Sequence, residues 1–528
     1  MGTRLKKQSF LSGAMILAVG TAVVKLIGAL FKIPLYSILG EAGSADFYNA
    51  YSIYAALLTI STAGLPVALS KMVSEAHTLH RENQVQRIFQ VSFLAFLTMG
   101  LLSFGLMWFG NDFLASLLHN PRAALGIKAL APAVVCVGCL AAFRGYAQGH
   151  SNMTPTAVSQ IIEALCKLVI GLGLAVYALK IGKNDTEAAA AAILGVTVGT
   201  VLALAYMAVN YFRNPTRREK TADVPEERGT ILKQLLSIAI PITLSASMVS
   251  IITLIDTSFV QGRLQSALGY TLEEMRVTYG TYSSGMNLYN LPSSFMTALT
   301  ISVIPSVSGA LTRKDYAAAS RITNSSLRVT ALLAFPMGFG LWAMATPIMA
   351  LLYPKYDSVL GGSLLSVLGI ASIFVCVTLL TNSILQAHGF ISLPVVTMLV
   401  GGVAELIVDY NLVAIPSVNI HGAPIGTVVC FGIPALLNLW ILSRVLRQPP
   451  NYLKIFLKPL LASLLMGFCA KGIYALLSPL GNRLALLGAV LCAVIFYGLL
   501  VIFLRIITRE DMLLLPKGDK IAKILHIH

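Results

Sequence analysis

Long apolar runs, separated by short polar connections, recur along the whole chain of 528 residues. Each run has about 20 residues, which is the length that an α-helix needs to cross a hydrocarbon core about 30 Å thick. Strict alternation of apolar and polar positions, which is typical of strands, does not extend over any long stretch. The pattern therefore predicts an all-α polytopic membrane protein with about fourteen transmembrane helices.

The composition supports this prediction, with 56% apolar residues, 11% charged residues and a mean hydropathy of +0.79. The first apolar run, 11–39, is far longer than the core of a signal peptide and is expected to be retained as a span. Lysine and arginine are about three times as frequent in the connections on one side of the predicted membrane as on the other. This asymmetry predicts that both termini are cytoplasmic. It also accounts for most of the net charge of +16, so no nucleic-acid partner is expected.

One connection is strongly polar, with a run of charges and two prolines between the sixth and seventh predicted spans. It divides the chain into two comparable halves, and two further spans follow the second half. The predicted organisation is an N-terminal six-helix lobe at 1–212, a cytoplasmic linker at 213–233, a C-terminal six-helix lobe at 234–448, and two extra transmembrane helices with a basic tail at 449–528.

The two halves share weak internal similarity. A shift of 234 residues without gaps superposes Tyr48 on Tyr282 and Arg87 on Arg321, with further identities between them. Because six spans is an even number, the second half enters the membrane in the same orientation as the first. The sequence thus predicts parallel repeats that enclose a central cavity.

Lys25 and Lys32 lie in the first apolar run, where a charge costs about 2.5–3.5 kcal/mol on insertion scales. They are two helical turns apart, so their side chains share one face of the helix. A shared charged face predicts a wet or anionic cavity opposite it. In the alternative interpretation, Lys32 extends to the membrane interface and only Lys25 is buried.

Further charges are predicted inside spans. Glu163 and Lys167 are four residues apart, so they could neutralise each other or take part in transport. Glu405 and Asp409 have the same spacing but the same sign, so they need a partner such as Lys25, or a coupling cation or proton. Asp256 is another acid predicted in the middle of the seventh span.

Signatures of enzymatic chemistry are missing from the sequence. It contains no glycine-rich phosphate loop followed by Lys-Ser or Lys-Thr, and no His and Cys cluster with the spacing of metal ligands. The seven cysteines are odd in number and fall within predicted spans, which argues against a disulfide framework. We expect neither an enzyme nor a catalytic residue, and neither a resident cofactor nor a metal.

Short motifs extend over nearly the whole chain, and they include Val24-Lys25-Leu26-Ile27-Gly28, Gly64-Leu65-Pro66, Arg144-Gly145-Tyr146, Leu291-Pro292-Ser293 and Gly422-Ala423. Together they resemble the sporulation protein B-like polysaccharide exporters. Those proteins are related to the MurJ lipid II flippases in the multidrug/oligosaccharidyl-lipid/polysaccharide (MOP) exporter superfamily.

The resemblance implies a MurJ- and MATE-like fold of two six-helix lobes, with a terminal helix pair that forms a lipid-facing groove. It also implies transport of an undecaprenyl-diphosphate-linked sugar across the bacterial plasma membrane. By position, Lys25 matches a first-helix arginine of the MurJ-like proteins, and Asp46 matches an acid after that helix. We therefore expect Lys25, Lys32 and Asp46 to bind substrate. Asn287 is also expected to bind substrate. Many MurJ-like relatives have arginine at this position, so the cavity is expected to be less positive than theirs.

The favoured hypothesis is a flippase for a lipid II-like precursor or polysaccharide unit, which works by alternating access of a cationic cavity. A proton, sodium or the membrane potential could drive it, in vegetative growth or in sporulation. The alternatives are a cation-coupled multidrug antiporter that uses the buried acids, and a non-transporting scaffold of cell-wall synthesis. The lysines favour the first, and the cost of buried charge argues against the last. Expected partners are the anionic lipid-linked saccharide and membrane lipids, with cell-wall synthases as further candidates.

The predicted topology can be tested with single cysteines in a variant that lacks the seven native ones. Lys220→Cys, in the linker, should react with a membrane-impermeant maleimide only after cell lysis. Lys183→Cys, in a connection predicted to be outside, is the positive control and should react in intact cells. Labelling of position 220 in intact cells would contradict the predicted number of spans.

Overall fold

The computed structural model describes residues 10–213, 221–390, 392–446, 448–504 and 506, and every regular element in these ranges is helical. The helices are α1 (Phe10–Thr62), α2 (Leu65–Thr78), α3 (Glu82–Phe109), α4 (Asn111–Leu117), α5 (Ala124–Gly149), α6 (Thr154–Cys166), α7 (Leu172–Lys180), α8 (Asp185–Arg213), α9 (Arg228–Ser266), α10 (Leu272–Thr312), α11 (Tyr316–Leu352), α12 (Ser358–Ala387), α13 (Leu393–Leu412), α14 (Gly422–Val445), α15 (Tyr452–Leu477) and α16 (Asn482–Phe503). The predicted all-α membrane fold is confirmed.

Eleven helical segments among the described residues are long and apolar enough to cross a membrane, or twelve if the bent α9 counts as one span. The expected fourteen helices are therefore not confirmed as a number. Part of the difference lies at the start of the chain, where the first two expected spans fall within one helical stretch, Val19–Thr78. Inside it, α1 changes direction at Gly40, whose φ of 72° is readily adopted only by glycine.

The first compact unit comprises residues 1–265 and 270–280. Helix α5 is its most enclosed helix, because it packs against α1, α2, α3 and α8. Close approach depends on small residues: a Cβ on Gly138 would lie 2.9 Å from the carbonyl oxygen of Phe96, and one on Gly145 would lie 3.0 Å from that of Pro66. Such contacts are typical of helix packing in membranes, where there is no hydrophobic force between helices.

The second compact unit comprises residues 266–269 and 281–528. In it α11 packs against α12 and α15, α14 packs against α12 and α13, and α16 packs against α15. Helices α15 and α16 keep large apolar side chains exposed, including Leu465, Phe468, Leu487 and Leu491. Exposure of this kind suits a lipid-facing surface.

The described end of the linker docks on the first turn of α3, inside the first unit. Thr221 Oγ1 accepts a hydrogen bond from the Glu82 amide at 3.0 Å. The Asp223 carboxylate accepts from the amides of Asn83 at 3.2 Å and Gln84 at 2.9 Å. These bonds satisfy amides that a helix start leaves open. Although partial burial opposes the charge of Asp223, hydrogen bonds from Thr221 and from these two amides hold its pKa below the ordinary value.

Helix α6 continues into α7 through a π-helical turn at Lys167–Gly171. Gly195 of α8 packs directly on this turn, because a Cβ at position 195 would lie 2.4 Å from the backbone nitrogen and Cα of Gly171. Backbone atoms cannot rotate aside as a side chain can. The contact therefore fixes the position of the π turn, and π turns are frequent at functional sites.

Gly195→Ala should destabilise the protein by about 1–3 kcal/mol, because the added methyl group overpacks the contact with Gly171. Gly173→Ala is the matched control, since a Cβ there meets nothing within 4 Å. The control should be neutral or stabilising by up to about 1 kcal/mol. Thermal unfolding in detergent measures both variants. Equal melting temperatures would contradict the close approach of α8 to the π turn.

Candidate functional site

Two lysines of the first unit share one aromatic ring. Lys32 Nζ, on α1, lies 5.4 Å from the ring centroid of Tyr51, and Lys167 Nζ, at the π turn, lies 5.0 Å from the same centroid. Lys167 also donates a hydrogen bond to the Tyr51 hydroxyl at 3.4 Å and lies 5.2 Å from the ring centroid of Phe31. We call these four residues the cationic cluster. Aromatic faces attract cations but do not neutralise them.

Within the described residues, neither lysine of the cationic cluster forms an ion pair with a carboxylate. Glu163 lies one turn before Lys167, but it pairs with Arg144 of α5 instead, at 3.2 Å between Nη2 and Oε2. Arg144 Nε also donates to Ser159 Oγ at 2.9 Å. The local Glu163–Lys167 pair that the spacing allowed is not formed. The cluster therefore keeps two positive charges that no described carboxylate balances through an ion pair.

Lys25 lies on the same face of α1 as Lys32 and is partly buried. The exposed apolar side chains of this part of α1 lie on a different face. They are Val19, Val23, Leu26 and Leu30. Lys25 and Lys32 therefore point away from the exposed apolar surface of α1. The cavity interpretation requires this orientation.

Asp46 has a buried carboxylate with several donors. Arg276, at the start of α10, binds it through two nitrogens, Nη2 to Oδ2 at 2.6 Å and Nε to Oδ1 at 3.0 Å. Thr186 donates to Oδ2 at 2.7 Å and Asn120 to Oδ1 at 2.9 Å. The Arg276 and Asp46 side chains are only 7% and 3% exposed. Asp46 thus joins four chain segments, and its proposed contact with substrate stays a prediction.

Arg276 and Arg144 are the residues that sequence reasoning missed. Each of them lies close to the end of an apolar run, where an arginine is usually exposed to water. Both side chains are largely buried and bind a carboxylate. The only local signal was the acid-rich start of α10, where Arg276 also pairs with Glu273 at 2.5 Å.

In the second unit, Glu405 and Asp409 lie one turn apart on α13, and both are buried. Asp409 packs against Gly426 of α14, where a Cβ would come within 1.9 Å of Oδ1. Asn287 of α10 is partly buried, and its Nδ2 has no hydrogen-bond partner among the described residues. Asp256, on α9 of the first unit, is also buried.

An apolar cavity of about 260 Å³ lies among α10, α11, α15 and α16 of the second unit. Its walls are formed almost entirely by aliphatic, aromatic and methionine side chains, which include Leu288, Leu291, Phe295, Met337, Met466 and Val490. Cavities of this composition suit an apolar ligand or a lipid chain.

The family model described as polysaccharide biosynthesis protein matches residues 10–311. Among curated proteins of Bacillus subtilis (strain 168), stage V sporulation protein B is 23% identical over 97% of this chain and 98% of its own. The lipid II flippase MurJ of the same organism is 23% identical over 87% of this chain and 88% of its own.

Solved structures show the same fold. The lipid II flippase MurJ in an inward closed conformation has a TM-score of 0.71 at 16% identity and covers 93% of this chain and 99% of its own. An inward-facing multidrug resistance MATE family transporter of the MOP superfamily has a TM-score of 0.65 at 16% identity and covers 79% of this chain and 97% of its own. The expected MurJ- and MATE-like fold is confirmed, and the chain is a multi-pass membrane protein. The relatives are transporters of the MurJ and MATE kind rather than enzymes.

Arg276→Ala should destabilise the first unit by about 3–5 kcal/mol, because it leaves the buried Asp46 carboxylate without its cation. Arg122→Ala, an exposed arginine of the same unit, is the control and should have little effect. Melting temperature and the folded fraction in detergent report both.

The double variant Asp46→Asn/Arg276→Gln removes both charges and should be more stable than Arg276→Ala with Asp46 intact. If the loss of stability in the double variant equals the sum of the losses in the two single variants, Asp46 and Arg276 are not coupled, which would contradict the ion pair.

Proposed function

Since the chain belongs to the polysaccharide biosynthesis protein family, we propose that it is a flippase for an undecaprenyl-diphosphate-linked saccharide in the bacterial plasma membrane. The observation that carries the proposal is the cationic cluster, in which Lys32 and Lys167 share the Tyr51 ring and neither lysine pairs with a carboxylate of the described residues. A diphosphate would supply the negative charge that neutralises these two lysines. Each charge-assisted hydrogen bond contributes about 1.5–3 kcal/mol.

Lys25 extends this positive surface along the same face of α1. An anionic head group that moves along the helix could pass from contact with Lys25 to contact with Lys32, two turns away, without meeting a lipid-facing surface. In this proposal the substrate-binding residues of the first unit are Lys25, Lys32 and Lys167. Asn287, in the second unit, is proposed separately as a neutral donor for a phosphate or sugar oxygen. The partly buried Asn287 Nδ2, which lacks a partner in the described ranges, supports that role.

The apolar cavity among α10, α11, α15 and α16 is proposed to hold part of the isoprenoid tail. It is lined by carbon-rich side chains and includes both terminal helices. A tail bound there would stay in an apolar environment while the head group crosses. Transport then follows from alternating access, in which binding and release shift the populations of two conformations.

The proposed setting places both termini and the 213–233 linker in the cytoplasm. The halves 1–212 and 234–448 act as the two lobes, with 449–528 as the terminal pair and tail. Enzymes of cell-wall synthesis are proposed as partners that supply or use the lipid-linked saccharide. The basic cytoplasmic connections support this orientation.

A multidrug antiporter is the second candidate function, and the buried Glu405 and Asp409 favour it. Two acids on one turn suit a coupling cation or proton, or a cationic drug. The fold similarity to a MATE transporter is compatible with this candidate. The sign of the charge at the transport site distinguishes the two, because a drug site needs the acids and a diphosphate site needs the lysines.

Transport can be measured as transfer of lipid II, or of another undecaprenyl-linked sugar, between the leaflets of liposomes. Lys32→Ala and Lys167→Ala should each lower the rate per folded molecule roughly 10- to 100-fold. Lys167→Arg should retain much of it, because the charge remains. Lys128→Ala is the matched control, since this lysine also lies on an aromatic ring, 5.0 Å from the Trp108 centroid, but outside the cluster.

Normal transfer per folded molecule by Lys32→Ala and Lys167→Ala would contradict the flippase site. Cation-driven efflux of a drug such as ethidium that is abolished by Glu405→Gln and unaffected by the lysine variants would instead establish the antiporter. For Lys25→Ala, lower abundance with normal transfer per molecule would assign that lysine to folding rather than to binding.

A further inference from the structure

Three helices of the first unit meet at a group of imidazole and carboxylate side chains. His77 lies in the last turn of α2, Glu82 is the first residue of α3, and His150 caps the end of α5. Each residue offers one ligand atom, and these atoms lie within 4.8 Å of one another. This group is separate from the cationic cluster and takes no part in the transport proposal.

His150 has one ring nitrogen engaged and the other available. Its Nδ1 lies 2.9 Å from the Tyr146 carbonyl oxygen, and only a protonated nitrogen can donate to a carbonyl. In the neutral ring, Nε2 therefore carries a lone pair. This atom is buried and has no hydrogen-bond partner in the part of the chain that the structure describes. A buried polar atom without a partner is costly, so a ligand that binds it is favoured.

His77 and Glu82 complete the group. His77 Nδ1 lies 2.6 Å from Glu82 Oε1, and the His77 and His150 rings are 4.7 Å apart between centroids. The Glu82 side chain is only 6% exposed, whereas that of His77 is 29% exposed. The group therefore combines a buried negative charge with two imidazoles and has one side that water can reach.

We propose that His77, Glu82 and His150 bind a divalent transition metal ion with the coordination preferences of zinc. Zinc takes histidine nitrogen and carboxylate oxygen at about 2.0–2.2 Å, which places tetrahedral ligand atoms roughly 3.3 Å apart. The present separations, from 2.6 Å between His77 Nδ1 and Glu82 Oε1 up to 4.8 Å within the group, lie on both sides of that value. Binding therefore requires that the ion displace the hydrogen bond between His77 and Glu82 and that the longer separations shorten. Water supplies the fourth ligand on the exposed side of His77. The Tyr146 carbonyl holds the His150 ring in the tautomer that a metal needs.

The C-terminal half offers an internal comparison. His388 at the end of α12 repeats the backbone contact, with Nδ1 at 2.9 Å from the Ile384 carbonyl oxygen. His388 lies 238 residues after His150, whereas the shift of 234 residues that relates the ends of α2 and α10 places Leu311 and Tyr316 where the first half has His77 and Glu82. A histidine at a helix end can thus bond to the backbone carbonyl without a neighbouring imidazole or carboxylate. Among the described residues, the grouping of His77, Glu82 and His150 as possible metal ligands occurs in the first half.

The site lies beside the docked linker, because the Glu82 amide donates to Thr221 Oγ1. A metal bound to Glu82 would hold the ends of α2, α3 and α5 together at the point where the linker meets the helices. The proposed role is therefore a structural clamp of the first unit.

The test uses the full-length protein in detergent, stripped with EDTA and then titrated with Zn²⁺ against a chromophoric chelator. We expect one saturable site per chain and a rise in melting temperature of several degrees, with no rise in Mg²⁺, which prefers oxygen ligands. Glu82→Gln and His150→Ala should each weaken binding at least tenfold. His388→Ala is the matched control and should bind like the wild type.

Glu82→Gln keeps an acceptor for His77, so this variant decides the matter even if His150→Ala folds poorly. Absence of saturable Zn²⁺ binding by the wild type would overturn the proposal. Unchanged affinity of folded Glu82→Gln would also overturn it, because the ion would then bind elsewhere, for example at the exposed Cys492.

Discussion

The cost of placing charge in a medium without water governs the first unit. A charge there needs an opposite charge, a polar environment, or a ligand. Asp46 and Arg276 form a buried two-point ion pair, and Arg144 and Glu163 form a second pair. Lys32 and Lys167 differ, because aromatic rings hold them and no described carboxylate neutralises them. Stability alone gives no reason to keep such lysines, and this is why an anionic substrate is proposed for them.

The backbone places this pair through close packing of small residues. Lys167 begins the π turn, and Gly195 of α8 lies against Gly171 at the end of that turn. Without a Cβ at position 195, the two backbones approach closely enough to set the turn against α8. Glu163 is directed to Arg144, and Lys167 is left to Tyr51. The packing contact between Gly195 and Gly171 thus helps to fix where the positive charge of Lys167 lies.

Fold class and the positions of the charges could be predicted from the sequence, because hydropathy and helical periodicity are local properties. Lys25 and Lys32 were placed on one face by their spacing alone, and the structure keeps them there. Partner choice could not be predicted, because it depends on contacts between distant segments. Glu163 and Lys167 have the spacing of a local pair, yet Arg144, nineteen residues away, takes the acid. The number of spans was hard to fix for a different reason, since two helical segments meet at a kink at Gly40, beside the end of the first expected span, and together form one helical stretch.

The choice between aromatic and carboxylate partners has a mechanistic consequence. A carboxylate beside Lys32 or Lys167 would compete with a diphosphate, and the competition would reduce the differential binding that shifts a conformational equilibrium. A cation–π contact contributes about 0.5–2 kcal/mol and leaves the charge available. In the proposed flippase, the aromatic contacts would hold the lysines in position before the anion binds, at little loss of affinity. A fixed ion pair such as Asp46–Arg276 suits a contact that must persist. The difference in partners separates residues that hold the fold from residues that can hold a moving substrate.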